Sequence, residues 1–217
     1  MRRWIALSVV VGAVGVVVAV LFTPLVGVRS VEVTGMRGLT ADEVRAAAEV
    51  PTGTSMLRLD TTGIVARVAQ LPRVASVDVS RQWPSTIRIQ VTERDPVGIV
   101  PESDGVHLVD SSGLDYATVA TAPAGLPKIQ LTTIKPADPR TQAVVRVLAV
   151  LPPQLRVEVQ VVTAKTPGSV TLGLPGGRTI RWGSADDSVH KSAVLAALMT
   201  RPGKVYDVSS PDLPTIS

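Results

Sequence analysis

The chain has no cysteine, which rules out disulfides, thiolate metal centres and cysteine nucleophiles. Aromatic residues are nearly as scarce, with one phenylalanine, two tyrosines and three tryptophans in 217 residues. Nucleic-acid surfaces rely on stacking rings and clustered Lys/Arg. Beyond Phe22 only Trp83, Tyr116, Trp182 and Tyr206 carry large rings, and the basic residues are interspersed with acidic ones, so no nucleic-acid partner is expected. Histidine is limited to His107 and His190, and neither belongs to a recognised metal-ligand motif; Asp186-Asp187 beside His190 reads as a helix cap. There is no phosphate loop, nucleophile elbow or paired-carboxylate motif, and Gly176-Gly177 reads as a tight turn. No acidic residue precedes Glu32. The net charge of +4 therefore owes half its value to Arg2 and Arg3, leaving 20 basic against 18 acidic residues elsewhere.

What the sequence does have is one long uncharged run, Trp4 to Phe22, WIALSVVVGAVGVVVAVLF. As a helix its nineteen residues would be about 28 Å long, against a hydrocarbon core of about 30 Å. A bilayer forces the backbone to satisfy its own hydrogen bonds, which overrides the weak helix propensity of valine and glycine. A transmembrane helix is expected over 4–22, with residues 1–3 as a cytoplasmic tail and the bulk extracytoplasmic. A cleaved signal would carry a shorter core and a small-x-small site, where this chain has Leu21-Phe22-Thr23-Pro24. Gly12 and Gly15 lie three apart rather than at the four-residue spacing of a helix-dimer face.

The remainder reads as an α+β chain in two parts. Val31 and Val33 alternate with Glu32 and Thr34 as a first strand ending at Gly35. Thr40-Ala41-Asp42-Glu43 has capping-box spacing, with Leu39 and Val44 as the staple. Asp60 or Thr61 starts a second helix bearing Ile64, Val65, Val68 and Leu71. A hairpin follows, with Ala75, Val77 and Val79 facing Ile87, Ile89 and Val91 around a turn at Gln82–Ser85. This β-α-α-β-β order over 28–95 predicts a small sheet with two helices on its apolar face. Residues 96–208 predict a mixed β domain with flanking helices: strands at 97–100, 106–109, 155–162, 170–174, 178–182 and 204–208, a helix after Asp138-Pro139 and a last helix over about 187–199. Residues 209–217, with Pro211 and Pro214, predict an extended and partly mobile tail.

These stretches resemble the bacterial cell-division family FtsQ/DivIB. The resemblance runs through Val28-Arg29-Ser30-Val31-Glu32-Val33-Thr34-Gly35, Leu71-Pro72-Arg73-Val74-Ala75-Ser76-Val77, Arg81-Gln82-Trp83-Pro84-Ser85-Thr86-Ile87 and Val91-Thr92-Glu93-Arg94-Asp95-Pro96. These read as a POTRA domain of the FtsQ type. Gly105-Val106-His107-Leu108-Val109-Asp110-Ser111-Ser112-Gly113 and Gly125-Leu126-Pro127 follow as in the family's β domain. The resemblance implies a non-catalytic scaffold without cofactor or small-molecule substrate. It would sit in the cell membrane at the division septum, holding FtsB/DivIC-like and FtsL-like partners upstream of septal wall synthesis. A POTRA-containing translocation or assembly factor and a membrane-anchored cell-wall enzyme are the rival readings.

In that family the partner site lies at the end of the β domain, which here maps to the last helix and the strand Lys204-Val205-Tyr206-Asp207-Val208. Where many members carry arginine two residues after the strand aspartate, this chain has Ser209. An open edge strand exposes unpaired N–H and C=O groups that an extended peptide can complete. Lys204, Tyr206 and Val208 share one face, with Tyr206 as the expected anchor, Lys191 as the residue to pair a partner carboxylate, and Trp182 as a further contact. Core packing is the competing reading for both rings, and a solvated side chain is the more frequent outcome for Lys191.

Overall fold

The computed structural model describes residues 11, 12, 15 and 27–217. The expected transmembrane segment therefore lies almost wholly outside the described residues, and among those described no helix is long and apolar enough to cross a membrane. The chain divides into two compact units, Met1–Arg94 and Asp95–Ser217.

The first unit is β1 (Ser30–Thr34), α1 (Ala41–Ala48), α2 (Thr61–Val68), β2 (Val74–Gln82) and β3 (Thr86–Glu93). β3 lies in the middle of the sheet, parallel to β1 and antiparallel to β2. Each helix starts where a side chain meets otherwise orphaned amides. Thr40 accepts the Glu43 amide at 3.2 Å while Glu43 accepts the Thr40 amide at 2.7 Å, and Asp60 accepts the Gly63 amide at 2.9 Å. The apolar face of β3, Ile87, Ile89 and Val91, packs with Val44, Ala48, Ile64 and Val68 in one core. Burial of each such side chain is worth about 1.5–3 kcal/mol, enough to fix which face of the strand turns inward. Gly35 ends β1 at φ 87°, and a Cβ there would collide with the Val91 carbonyl. One expectation fails here: Ala75 is exposed, because a register shift between Val74 and Ser76 takes it out of the alternation.

The second unit holds β4 (Pro96–Glu102), β5 (Gly105–Asp110), β6 (Asp115–Val119), β7 (Lys128–Gln130), α3 (Pro139–Val150), α4 (Pro153–Glu158), β8 (Val161–Ala164), β9 (Val170–Gly173), β10 (Thr179–Gly183), α5 (Ser188–Leu198), β11 (Val205–Asp207) and β12 (Thr215–Ile216). Among the described residues these strands form one sheet in the order β12-β11-β10-β9-β8-β7-β4-β5-β6. Asp138 caps α3 by accepting the Arg140 amide at 2.8 Å, and Pro139 occupies its first turn. Register aligns Ile129, Val162, Leu172, Ile180, Tyr206 and Ile216 as one row across six strands. All six join the core that buries Val144, Val147, Leu148 and Leu195 of α3 and α5. The next row, on the opposite face, is polar throughout: Gln130, Thr163, Thr171, Arg181, Asp207 and Thr215.

Three departures from expectation are local. The strand expected over 155–162 begins only at Val161. Pro152-Pro153 does not simply halt α3; Pro153 opens α4, whose fixed φ suits a first helical turn. β6 and β7 are too short and polar to announce themselves by alternation. The tail is not a free extension, since Thr215–Ile216 pairs with Tyr206–Asp207.

Candidate partner-binding margin

β11 is not the edge of the sheet. On one side it pairs in parallel with β10, Ile180 opposite Tyr206, and on the other it pairs antiparallel with β12, Ile216 opposite Tyr206. Past Ile216, the Ser217 amide donates to the Val205 carbonyl at 3.0 Å, and the Val205 and Lys204 amides both donate to the Ser217 carbonyl at 2.8 Å. The expectation of an open margin at 204–208 is thus corrected, because the chain's own terminal strand covers it. Proline did not prevent this. The chain reverses through Ser210–Leu213, where the Leu213 amide donates to the Ser210 carbonyl at 3.0 Å. Pro214 precedes β12 at a position whose missing N–H points away from β11. Gly203 makes room, for a Cβ there would collide with the Ile216 side chain.

The five residues singled out in the sequence fall into two groups. Trp182, Lys191, Tyr206 and Val208 are buried, and only Lys204 is exposed. The Tyr206 hydroxyl donates to the Arg201 carbonyl at 2.9 Å, and the Trp182 indole N–H donates to Ser188 Oγ at 3.1 Å. Lys191 was expected to face a partner carboxylate. Instead its ammonium donates to the Ser184 carbonyl at 3.0 Å, and burial lowers its pKa while the Asp186 and Asp187 carboxylates oppose that shift. Asp187 sits at the N-cap position of α5 in left-handed conformation, φ 51°, without a side-chain cap bond, so the capping role read from sequence is not realised there. Tyr206, Val208 and Trp182 therefore form the support beneath the margin rather than its contact face.

The margin itself is β12. Among the described residues its outer side has no strand neighbour in the sheet order. The Val205–Ser217 pair is hydrogen-bonded, so Ile216 belongs to a non-bonded pair and turns its own N–H and C=O outward. Leu213 beside it is 80% exposed. The Ser209 hydroxyl donates to Asp207 Oδ1 at 2.6 Å, and Arg181 from β10 approaches Asp207 Oδ2 at 3.7 Å. The aspartate thus keeps a cationic neighbour, supplied by the adjacent strand.

A second cluster escaped the sequence reading. His107 on β5 is held between Asp104 in the β4–β5 turn, at 3.0 Å from Nε2, and Asp115 on β6, at 2.6 Å from Nδ1. Its hydrogen bonds to Asp104 and Asp115 raise its pKa to about 9. Glu102 completes a group whose ligand atoms with Asp104 and His107 lie within 4.8 Å of one another. Carboxylates from the β4–β5 turn and from β6 hold the ring from both sides, so this arrangement acts as an ionic clasp between strands.

Against families of known proteins, residues 26–94 match the POTRA domain of FtsQ type, and residues 98–213 match the C-terminal domain of cell division protein FtsQ/DivIB. The chain belongs to the FtsQ/DivIB family. Among its relatives, the cell division protein FtsQ of Mycobacteroides abscessus is 43% identical over 204 residues, covering 94% of this chain and 66% of that protein. The FtsQ of Mycolicibacterium smegmatis is 43% identical over 214 residues, covering 98% and 63%. The FtsQ of Streptomyces venezuelae is 40% identical over 200 residues, covering 88% and 74%. The chain thus spans just under two thirds of the mycobacterial FtsQ proteins it matches. FtsQ family membership accounts for the two-unit organisation, with the first unit and the nine-stranded second unit each under its own family description.

Proposed function

We propose that this protein is a non-catalytic scaffold of the bacterial division machinery. In this reading Trp4–Phe22 anchors it in the cell membrane and the bulk lies outside the cytoplasm at the septum. It holds FtsB/DivIC-like and FtsL-like partners that act upstream of septal wall synthesis. An extended partner segment adds to the sheet beside β12. The observation that carries this is the outward main-chain pair of Ile216 at a sheet margin whose apolar row ends in a half-buried Ile216. A partner strand would continue that row with an apolar residue opposite Ile216 and would meet exposed Leu213 and Lys204 at the rim. Tyr206 and Trp182 serve by holding β10 and β11 flat beneath it.

Ile216→Pro removes the outward N–H and leaves the β11-facing bonds of Thr215 and Ser217 in place. Loss of one main-chain hydrogen bond is worth about 1 kcal/mol, so partner recovered by co-purification from membranes is expected to fall several-fold, toward tenfold. Recovery at the wild-type level would overturn the docking mode.

A further inference from the structure

Gly27 is bridged to Ser55, and Val28 donates to the Thr54 carbonyl at 2.9 Å and accepts from the Gly53 amide at 2.8 Å. The Arg29 amide donates to the Ser85 carbonyl at 2.8 Å. The chain therefore enters its first folded unit between the loop at 53–59 and the tip of the β2–β3 hairpin. Two large apolar side chains flank that entry. Leu57, two residues past Ser55, is 48% exposed, and Trp83, two residues before Ser85, is 55% exposed. The Arg81 guanidinium donates to the Met56 and Leu59 carbonyls at 2.6 and 2.8 Å, tying the loop that bears Leu57 to the hairpin that bears Trp83. The other described rings, Tyr116, Trp182 and Tyr206, are all buried. Trp83 is the exception.

Two arginines reach the surface at this pole. Arg29 and Arg58 are exposed on the entering strand and the loop. Asp60 and Glu49 are exposed as well, Asp60 accepting the Gly63 amide and Glu49 lying 3.8 Å from the Arg67 guanidinium. The sequence supplies the occupant. The uncharged run ends at Phe22, and the five residues from there to Gly27 reach at most about 18 Å when fully extended. A headgroup layer is itself about 5–8 Å thick, so an anchored chain cannot carry this pole far from the bilayer surface.

We propose that the entry pole of the first unit rests on the membrane, with Leu57 and Trp83 seated in the interfacial layer and Arg29 and Arg58 against anionic phospholipid headgroups. Tryptophan and arginine are the residues such an interface favours. The inference rests on the membrane-anchor reading.

The test uses the full chain reconstituted into phosphatidylcholine–phosphatidylglycerol vesicles containing lipids with a quencher at either the headgroup or the acyl-chain terminus. Comparing Trp4→Phe with Trp4→Phe/Trp83→Ala isolates the fluorescence of Trp83, since buried Trp182 contributes equally to both. The headgroup quencher is expected to reduce the Trp83 signal at least about twofold more than the deep quencher, and the effect is expected to weaken in vesicles without phosphatidylglycerol. A Trp83 signal open to aqueous iodide and untouched by either lipid quencher would overturn the proposal, as would shielding that appears only when a protein partner is added. The difference between the wild-type chain and Trp4→Phe reports Trp4, and with it the anchor, separately. If Trp4 is quenched by lipid and Trp83 is not, the docking fails while the anchor stands; if neither is quenched and alkaline carbonate strips the chain from vesicles, the anchor itself fails.

Discussion

Glu93 is the most heavily engaged single carboxylate in the first unit. It is buried, and it accepts the amides of Arg37 at 2.6 Å, Gly38 at 2.9 Å and Leu39 at 3.0 Å. Burial pushes its pKa up, but the three amides and the Arg37 guanidinium outweigh it and hold the group below its ordinary 4.5. A carboxyl held low when folded stabilises above its unfolded pKa, and that contribution is lost as pH falls through the folded value. Glu93→Ala is expected to destabilise the unit by about 2–3 kcal/mol at neutral pH, because it strands three amides at the start of α1. Denaturant unfolding checks this. The gap to wild type should narrow under acid, and a gap unchanged below about pH 4 would show that the charge is not its source. Tyr206 shows how far one residue's role is readable in advance. Its place on the same strand face as Val208 is dictated by the two-residue period, but which face meets α5 depends on the sheet's neighbours, which the sequence does not display.

The strands β5 and β6 owe part of their pairing to the His107 clasp. Its pKa near 9 stands above the ordinary 6.5, so the stabilisation is complete below about 6.5 and is lost as pH rises through about 9. An NMR titration of the His107 ring is expected to give a midpoint near 9, and His107→Gln should loosen β6 at neutral pH as it is in the wild type only at alkaline pH. A midpoint below about 7 would contradict the clasp. Asp104 lies three residues before His107 but in a hairpin turn rather than on a helix, and Asp115 comes from the neighbouring strand, so the clasp depends on strand pairing that spacing alone does not display. Elements with local chemistry were legible: the Thr40–Glu43 box, the Asp60 and Asp138 caps, and the alternation of Ile87, Ile89 and Val91 all act within a few residues. Elements decided by distant pairing were not. β12 has only two residues after two prolines, and it exists because Tyr206 and Gly203 leave a slot for Ile216.

Across the whole chain, the family and the β-α-α-β-β order of the first unit were legible, because they depend on motifs spread along the sequence, whereas α4, β6, β7 and β12 of the second unit were not. The free edge of the sheet was not legible, and with it the proposed docking edge moves from β11 to β12 for the reason just given. Among the described residues the large sheet has two margins, β12 and β6. Only β12 continues the buried row from Ile129 to Tyr206. Strand addition there would extend the existing core, whereas the clasped β6 margin has Asp115 at its start. Site-specific photo-cross-linking in dividing cells separates the two directly, with a photoreactive phenylalanine placed at Thr215 or at Thr118 of the full-length protein. The expected result is an adduct to a division partner from Thr215 and none from Thr118. An adduct from Thr118 alone would contradict the assignment of the partner to the terminal strand.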